Sequence, residues 1–264
     1  MSLSVRILGI LALFTLFLLS GCATQGLSSK DQDATGDLGS EQKESPGALY
    51  VEMGVAYLRE GQTATAMKKL KTAISIDPEN AEAHNVIGIV YERLGEMKLA
   101  GEHYANAARL QPQDPYIRNA QGSFFCKQGQ YEKAELEFES ALSNPLYPTP
   151  WVAMTNAGLC AERNGDLVKA EKYYRRALTA NEKYFQALYK MMELSLDQDK
   201  PLSARGYLER YNTVAPATAA SLLHGVRIEQ KLGDQQQALR YRALLLDQFP
   251  DSPEVQLLHQ SEQK

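Results

Sequence analysis

Residues 81–114 read AEAHNVIGIVYERLGEMKLAGEHYANAARLQPQD, and the spacing of small and large side chains within them decides the fold. His84, Ile87, Gly88 and Tyr91 follow the pattern apolar–x2–apolar–Gly–x2–aromatic, with His84 in the first place. Ala100, Tyr104 and Ala107 recur at intervals of four and three, and Pro112 closes the stretch. Both sets fall on one face of an α-helix. The stretch therefore predicts two helices divided at Gly95. Glycine there suits a left-handed cap on the first helix, and Pro112 stops the second.

The same pattern lies on both sides. Upstream it gives Tyr50, Met53, Gly54, Tyr57, Ala66, Leu70, Ala73 and Pro78; downstream it gives Gly122, Phe125, Ala134, Phe138 and Ala141, then Gly158, Ala170, Tyr174 and Ala177. Two position sets fix the register. Turn residues Gly61, Gly95, Gly129, Gly165, Asp199 and Gly233 are spaced 34, 34, 36, 34 and 34, and Ala66, Ala100, Ala134, Ala170, Ala204 and Ala238 repeat those intervals. The unit resembles the tetratricopeptide repeat. The expected fold is all-α: a right-handed α-solenoid of six helix–turn–helix repeats over residues 47–255, with 256–264 as a C-terminal tail. Small residues sit where paired helices cross closely, and large ones fill the space between hairpins. One hairpin cannot bury its apolar face alone, whereas a stack can.

Repeats 5 and 6 depart from the pattern. Met192 replaces the small first-helix residue, Tyr211 and Leu245 replace the second Ala, and Gly225 sits one residue early. Terminal repeats tolerate such changes because one side has no neighbour. The two-residue insertion falls in Asn144-Pro145-Leu146-Tyr147-Pro148-Thr149-Pro150, where three prolines force an extended loop. This loop is either a spacer or an exposed recognition element anchored by Tyr147.

Composition removes several functions. The 264 residues carry a formal charge of −4 with pI near 5.7, which gives no basic surface for nucleic acid. The four histidines show no metal-ligand spacing, and no phosphate loop, nucleophile elbow or zinc-protease motif is present. No catalytic residue, metal or cofactor is expected. His84 holds a repeat position and reads as packing, and Trp151 as a filler between repeats.

The N-terminus has its own logic. Arg6 precedes an apolar run from Ile7 to Leu19, thirteen residues long. As a helix that run rises about 20 Å, short of a ~30 Å hydrocarbon core, so a signal peptide is favoured over a membrane span. It ends Leu19-Ser20-Gly21-Cys22, which resembles the bacterial lipobox. The resemblance implies removal of residues 1–21 and acylation of Cys22, enough for stable anchoring. Ala23 in place of Asp implies sorting to the outer membrane. Residues 22–46 are then a lipidated Cys and a polar tether unable to bury enough surface to order itself.

In tetratricopeptide stacks the first helices line a groove. Arg59, Arg93, Lys127 and Arg163 share one position there and form a basic column; Asn85 and Asn119 form a polar one. They fit a clamp for an extended peptide, with Asn bonding its backbone and the cations its carboxylates. They also fit a solvated face, since cations suit helix C-termini. Val51, Val55 and Leu58 are either an apolar patch at the groove's N-terminal end or core. Cys126 and Cys160, near the ends of first helices in adjacent repeats, are either a disulfide or two buried thiols.

More specific stretches narrow the family. NAQGSFFCKQGQYEKAELEFESALSNPLYPTP at 119–150, NAGLCAERNGDLVKAEKYYRRAL at 156–178, SLLHGVR at 221–227 and LLLDQFPDSPE at 244–254 resemble the type IV pilus biogenesis/stability lipoproteins, the PilW/PilF family. The resemblance implies a lipid-anchored outer-membrane protein facing the periplasm. Its partner would be the pilus secretin or another pilus assembly protein, and its role that of a pilotin promoting secretin localisation and multimerisation. The competing expectation is a lipoprotein scaffold for cell-wall enzymes or barrel assembly.

Overall fold

The computed structural model describes residues 46–262. The signal peptide, Cys22 and all of the tether but Pro46 lie outside the described residues. The described residues form α-helices and no strand. Six hairpins follow one another: α1 (Ala48–Arg59) with α2 (Thr63–Ile76), α3 (Ala81–Arg93) with α4 (Met97–Leu110), α5 (Pro115–Lys127) with α6 (Tyr131–Leu142), α7 (Pro150–Arg163) with α8 (Leu167–Ala180), α9 (Phe185–Asp197) with α10 (Pro201–Val214), and α11 (Ala219–Leu232) with α12 (Gln235–Gln248). Each first helix packs most extensively on its own second helix, and from α3 onward next on the second helix of the preceding hairpin. Six repeats in the expected phase make the α-solenoid.

The tail expected from 256 is instead a helix, α13 (Pro253–Glu262). Val255 and Leu258 are buried with Leu222, Leu223, Val226 and Leu245. A solenoid's last hairpin exposes an apolar flank, and these two side chains, three residues apart on one helical face, cover it.

The turns obey one conformational rule. Gly61, Gly95, Gly129, Gly165 and Gly233 all have φ between 72° and 81°, the left-handed region where a Cβ is unfavourable. Repeat 5 puts Asp199 there at φ 55°, and its carboxylate bonds Lys231 Nζ at 2.7 Å. Three first-helix starts are capped by side chains: Asn80 accepts from the Ala83 amide at 2.8 Å, Asp114 from Tyr116 at 2.8 Å, and Thr218 pairs with Ser221 in a capping box.

Within the hairpins, glycine permits contact rather than flexibility. A Cβ on Gly88 would lie 2.9 Å from the Tyr104 ring, on Gly122 2.9 Å from Phe138, and on Gly158 2.4 Å from Tyr174. Repeat 5 keeps the volume by inversion: Met192 takes the small place, the facing ring becomes Leu208, and both are buried in one cluster. The early Gly225 is matched by an early aromatic. It faces Tyr241, which stands three residues after Ala238 where Tyr104 stands four after Ala100. Val51, Val55 and Leu58 are core, packed with Val86 and Val90, so no open apolar patch exists at those positions.

Candidate functional site

Helices α1, α3, α5 and α7 adjoin in sequence, as do α9 and α11. They carry the residues of the expected groove. Arg59, Arg93, Lys127 and Arg163 are exposed, as a basic column requires. Two of them are engaged between repeats. Arg93 Nη1 donates to the Leu58 carbonyl at 3.1 Å, capping the end of α1, and Lys127 pairs with Glu92. Glu92 also accepts from the buried Tyr104 hydroxyl at 3.2 Å. Burial first, and the Glu92 carboxylate second, push the Tyr104 phenol well above its ordinary range.

The polar column is not where a ligand reaches. Asn85 and Asn119 are only 1% and 3% exposed. Their helix position faces the seam between neighbouring first helices, so the side chains are packed on both flanks. Asn119 Oδ1 accepts from Asn156 Nδ2 at 3.0 Å, whereas Asn85 Oδ1 has no hydrogen-bond partner among the described residues. Tyr147 is likewise no exposed anchor. It is 5% exposed, edge-on to Tyr116 with ring centroids 5.3 Å apart, and the apex of the proline loop is Leu146 at 84%. The inserted residues let Tyr147 turn inward under Ala141 and Ala153 while its neighbour points out.

A further cluster lies on α7, α9 and α11. Lys190 Nζ is 2.8 Å from Glu193 and 3.6 Å from Glu162, and His224 Nε2 is 3.5 Å from the other Glu193 oxygen. The Tyr189 ring stands edge-on to His224. Burial opposes ionisation of Glu193, but hydrogen bonds from His224 and Lys190 outweigh it and hold the carboxyl below its usual value. Burial also opposes the charge of Lys190, and Glu193 and Glu162 overcome it. The sequence held a signal for this cluster: Asn156, Lys190 and His224 share one position at the 34-residue interval, one residue beyond the asparagine column.

Cys126 on α5 and Cys160 on α7 form a disulfide, with Cα atoms 5.6 Å apart across 34 residues. It joins repeats 3 and 4 beside a cavity of about 160 Å³ lined by Tyr131, Phe138, Lys169 and Tyr173. At the other end of the face, burial, then Asp114 and Glu52, push the Glu82 carboxyl up to about 7. Nothing in this arrangement resembles a nucleophile with its base. It is a wall of bonded charges and seams.

Such a wall on a 34-residue helical repeat defines the class: this is a tetratricopeptide-repeat protein, a protein-interaction scaffold. Family profiles described as TPR repeat and tetratricopeptide repeat match residues 54–95, 81–114 and 120–184. The chain is 29% identical to the type IV pilus assembly protein PilF of Pseudomonas aeruginosa over 90% of its own length and 92% of the relative's. Among solved structures, PilW, described as a widely conserved type IV pilus biogenesis factor, superposes with a TM-score of 0.74 at 28% identity, covering 82% of this chain and 99% of that one. The Pseudomonas aeruginosa PilF structure gives 0.71 at 28%, covering 81% and 97%. The chain thus carries the tetratricopeptide repeat and is similar to PilF and PilW over most of its length.

Proposed function

We propose that this protein is an assembly factor for type IV pili, acting as a pilotin. A lipid on Cys22 holds it to the outer membrane facing the periplasm, and the first-helix wall engages the pilus secretin and promotes its localisation and multimerisation. The observation that carries this reading is near-complete coverage in both directions with PilF, a type IV pilus assembly protein, rather than a match limited to the generic repeat. The lipobox at Leu19-Ser20-Gly21-Cys22 adds the anchor. Peptide recognition on this wall works through the exposed cations and the Glu162, Lys190, Glu193 and His224 cluster, since Asn85 and Asn119 are covered.

The test has two arms. Deleting the gene should abolish secretin multimers in outer-membrane fractions, detected by gel without boiling; normal multimers and normal pili would refute the pilotin role. Cys22→Ala should release the protein into the soluble periplasmic fraction. Unchanged membrane fractionation would refute lipidation at that residue while leaving the scaffold role standing.

A further inference from the structure

His84 on α3 and His103 on α4 bring their Nδ1 atoms to 3.1 Å, with ring centroids 5.0 Å apart and planes tilted by 34°. The second nitrogen of His84, Nε2, lies 3.2 Å from the Pro78 carbonyl oxygen. A carbonyl only accepts, so this nitrogen carries the hydrogen and His84 presents a lone pair at Nδ1. His103 then donates from its own Nδ1 in the ion-free pair. Moving that hydrogen to Nε2 of His103 leaves two lone-pair nitrogens 3.1 Å apart.

We propose that His84 and His103 form a binding site for a late first-row divalent metal ion, of the copper, nickel and zinc group, held between the two helices of repeat 2. Imidazole nitrogens bind such ions at about 2.0–2.1 Å, and two bonds of that length across the observed separation open an angle near ~100°, between octahedral and tetrahedral ideals. The Pro78 carbonyl supplies the outer hydrogen bond that fixes a ligating histidine's tautomer and ring. Binding involves no redox step: the His103 proton shifts from Nδ1 to Nε2 through solvent, and the two nitrogens replace two waters on the ion.

The surroundings fit a ligand pair. From α2, Lys71 faces His103; from α4, Glu102; from α3, the Tyr91 ring at 5.5 Å. Among the described residues no group of three or more His, Cys, Asp or Glu is placed to hold an ion. The site therefore offers two nitrogens and leaves the other positions to water, and with imidazole as its only protein donor it disfavours the hard, oxygen-preferring calcium and magnesium.

The test is calorimetric titration of the tag-free full-length protein with copper, nickel, zinc, manganese and magnesium chlorides. We expect one ion per chain, copper tighter than nickel and nickel far tighter than manganese, with no heat from magnesium. His84→Gln and His103→Gln should each weaken nickel binding at least tenfold, and His224→Gln should leave it unchanged. In the unaltered protein, nickel should broaden the imidazole resonances of His84 and His103 before those of His224 and His259, a readout independent of how the variants fold. Absence of binding at millimolar nickel, or equal binding by His84→Gln with both variants folded by circular dichroism, would overturn the proposal and leave a hydrogen-bonded histidine pair.

Discussion

Replacing Gly158 by Ala tests whether the small first-helix position exists for contact. The new Cβ would lie 2.4 Å from Tyr174 Cε1, 2.7 Å from Cδ1 and 3.0 Å from Cζ. Tyr174 is fully buried, so its ring has no free direction in which to retreat. Overpacking of this kind costs about 1–3 kcal/mol, while Gly→Ala inside a helix returns up to ~1 kcal/mol of backbone entropy. The net expectation is a loss of about 1–2 kcal/mol. Gly206 is the internal control. It sits inside α10, is exposed, and its added Cβ meets nothing within 4 Å. There only the entropy remains, so Gly206→Ala should stabilise by about 0.5–1 kcal/mol. Urea unfolding followed by far-UV circular dichroism reads both, with the slope compared among variants because repeat arrays lose two-state behaviour easily. Repeat 5 supplies a second control. It carries Met192 with Leu208 where repeats 2, 3, 4 and 6 carry Gly with a ring, so Gly158→Ala should cost less in a Tyr174→Leu background. A Gly158→Ala protein as stable as the parent, or additive costs in the double variant, would refute the contact explanation.

Three more outcomes follow from particular residues. Glu82, with its carboxyl held at about 7 against 4.5 unfolded, binds its proton more tightly when folded; the resulting penalty is absent below the unfolded value, grows as pH rises to about 7 and is constant above. Glu82→Gln should therefore raise stability by about 1–3 kcal/mol at pH 8 and leave it unchanged at pH 4, and an equal effect at both values would contradict the burial account. Reducing the Cys126–Cys160 bridge, or substituting both residues by Ala, should lower stability by about 2–4 kcal/mol for a closed segment of this length, measured as a fall in urea midpoint. Asp199→Gly should raise the melting temperature, since the left-handed turn favours glycine more than the exposed Lys231 pair favours Asp; a lower melting temperature would reverse that ranking.

The helical framework was legible because a repeat prints the same physical demand several times over. Each turn needs a residue that tolerates positive φ, and each second helix needs a small alanine where it is buried against its partner, so two independent position sets carry one register. The sequence is less telling where residues depend on what flanks them. Helix position puts Asn85 and Asn119 on the first-helix face but does not say whether a neighbouring helix covers the seam. The prolines around Tyr147 fit a spacer and an exposed element alike; the residue parity within an extended loop decides which side chain turns in, and here Tyr147 turns in and Leu146 turns out. Residues past 255 lacked the signature and so read as a tail; α13 is needed for the opposite reason, because the signature ends there and leaves an apolar flank.

On the proposed reading, partner contact falls to those residues of the wall that the stack itself does not use. A column of like residues at one repeat position can serve either a ligand or the stack, and hydrogen-bond geometry separates the two. Arg93 and Lys127 each reach back to the preceding first helix, to the Leu58 carbonyl and to Glu92, so removing either unstitches a repeat junction as well as removing a charge. Loss of secretin multimers on Arg93→Ala would therefore conflate folding with recognition. Arg59 and Arg163 lie in the same column, exposed, without a comparable tie among the described hydrogen bonds. If the cations meet a partner's carboxylates, Arg163→Glu should weaken binding of a purified secretin periplasmic domain by tenfold or more while leaving the melting temperature within a degree or two, and raised salt should weaken the parent complex toward the same value. Equal affinity for the parent and Arg163→Glu would remove the basic column from recognition and leave the Glu162, Lys190, Glu193 and His224 cluster as the contact surface.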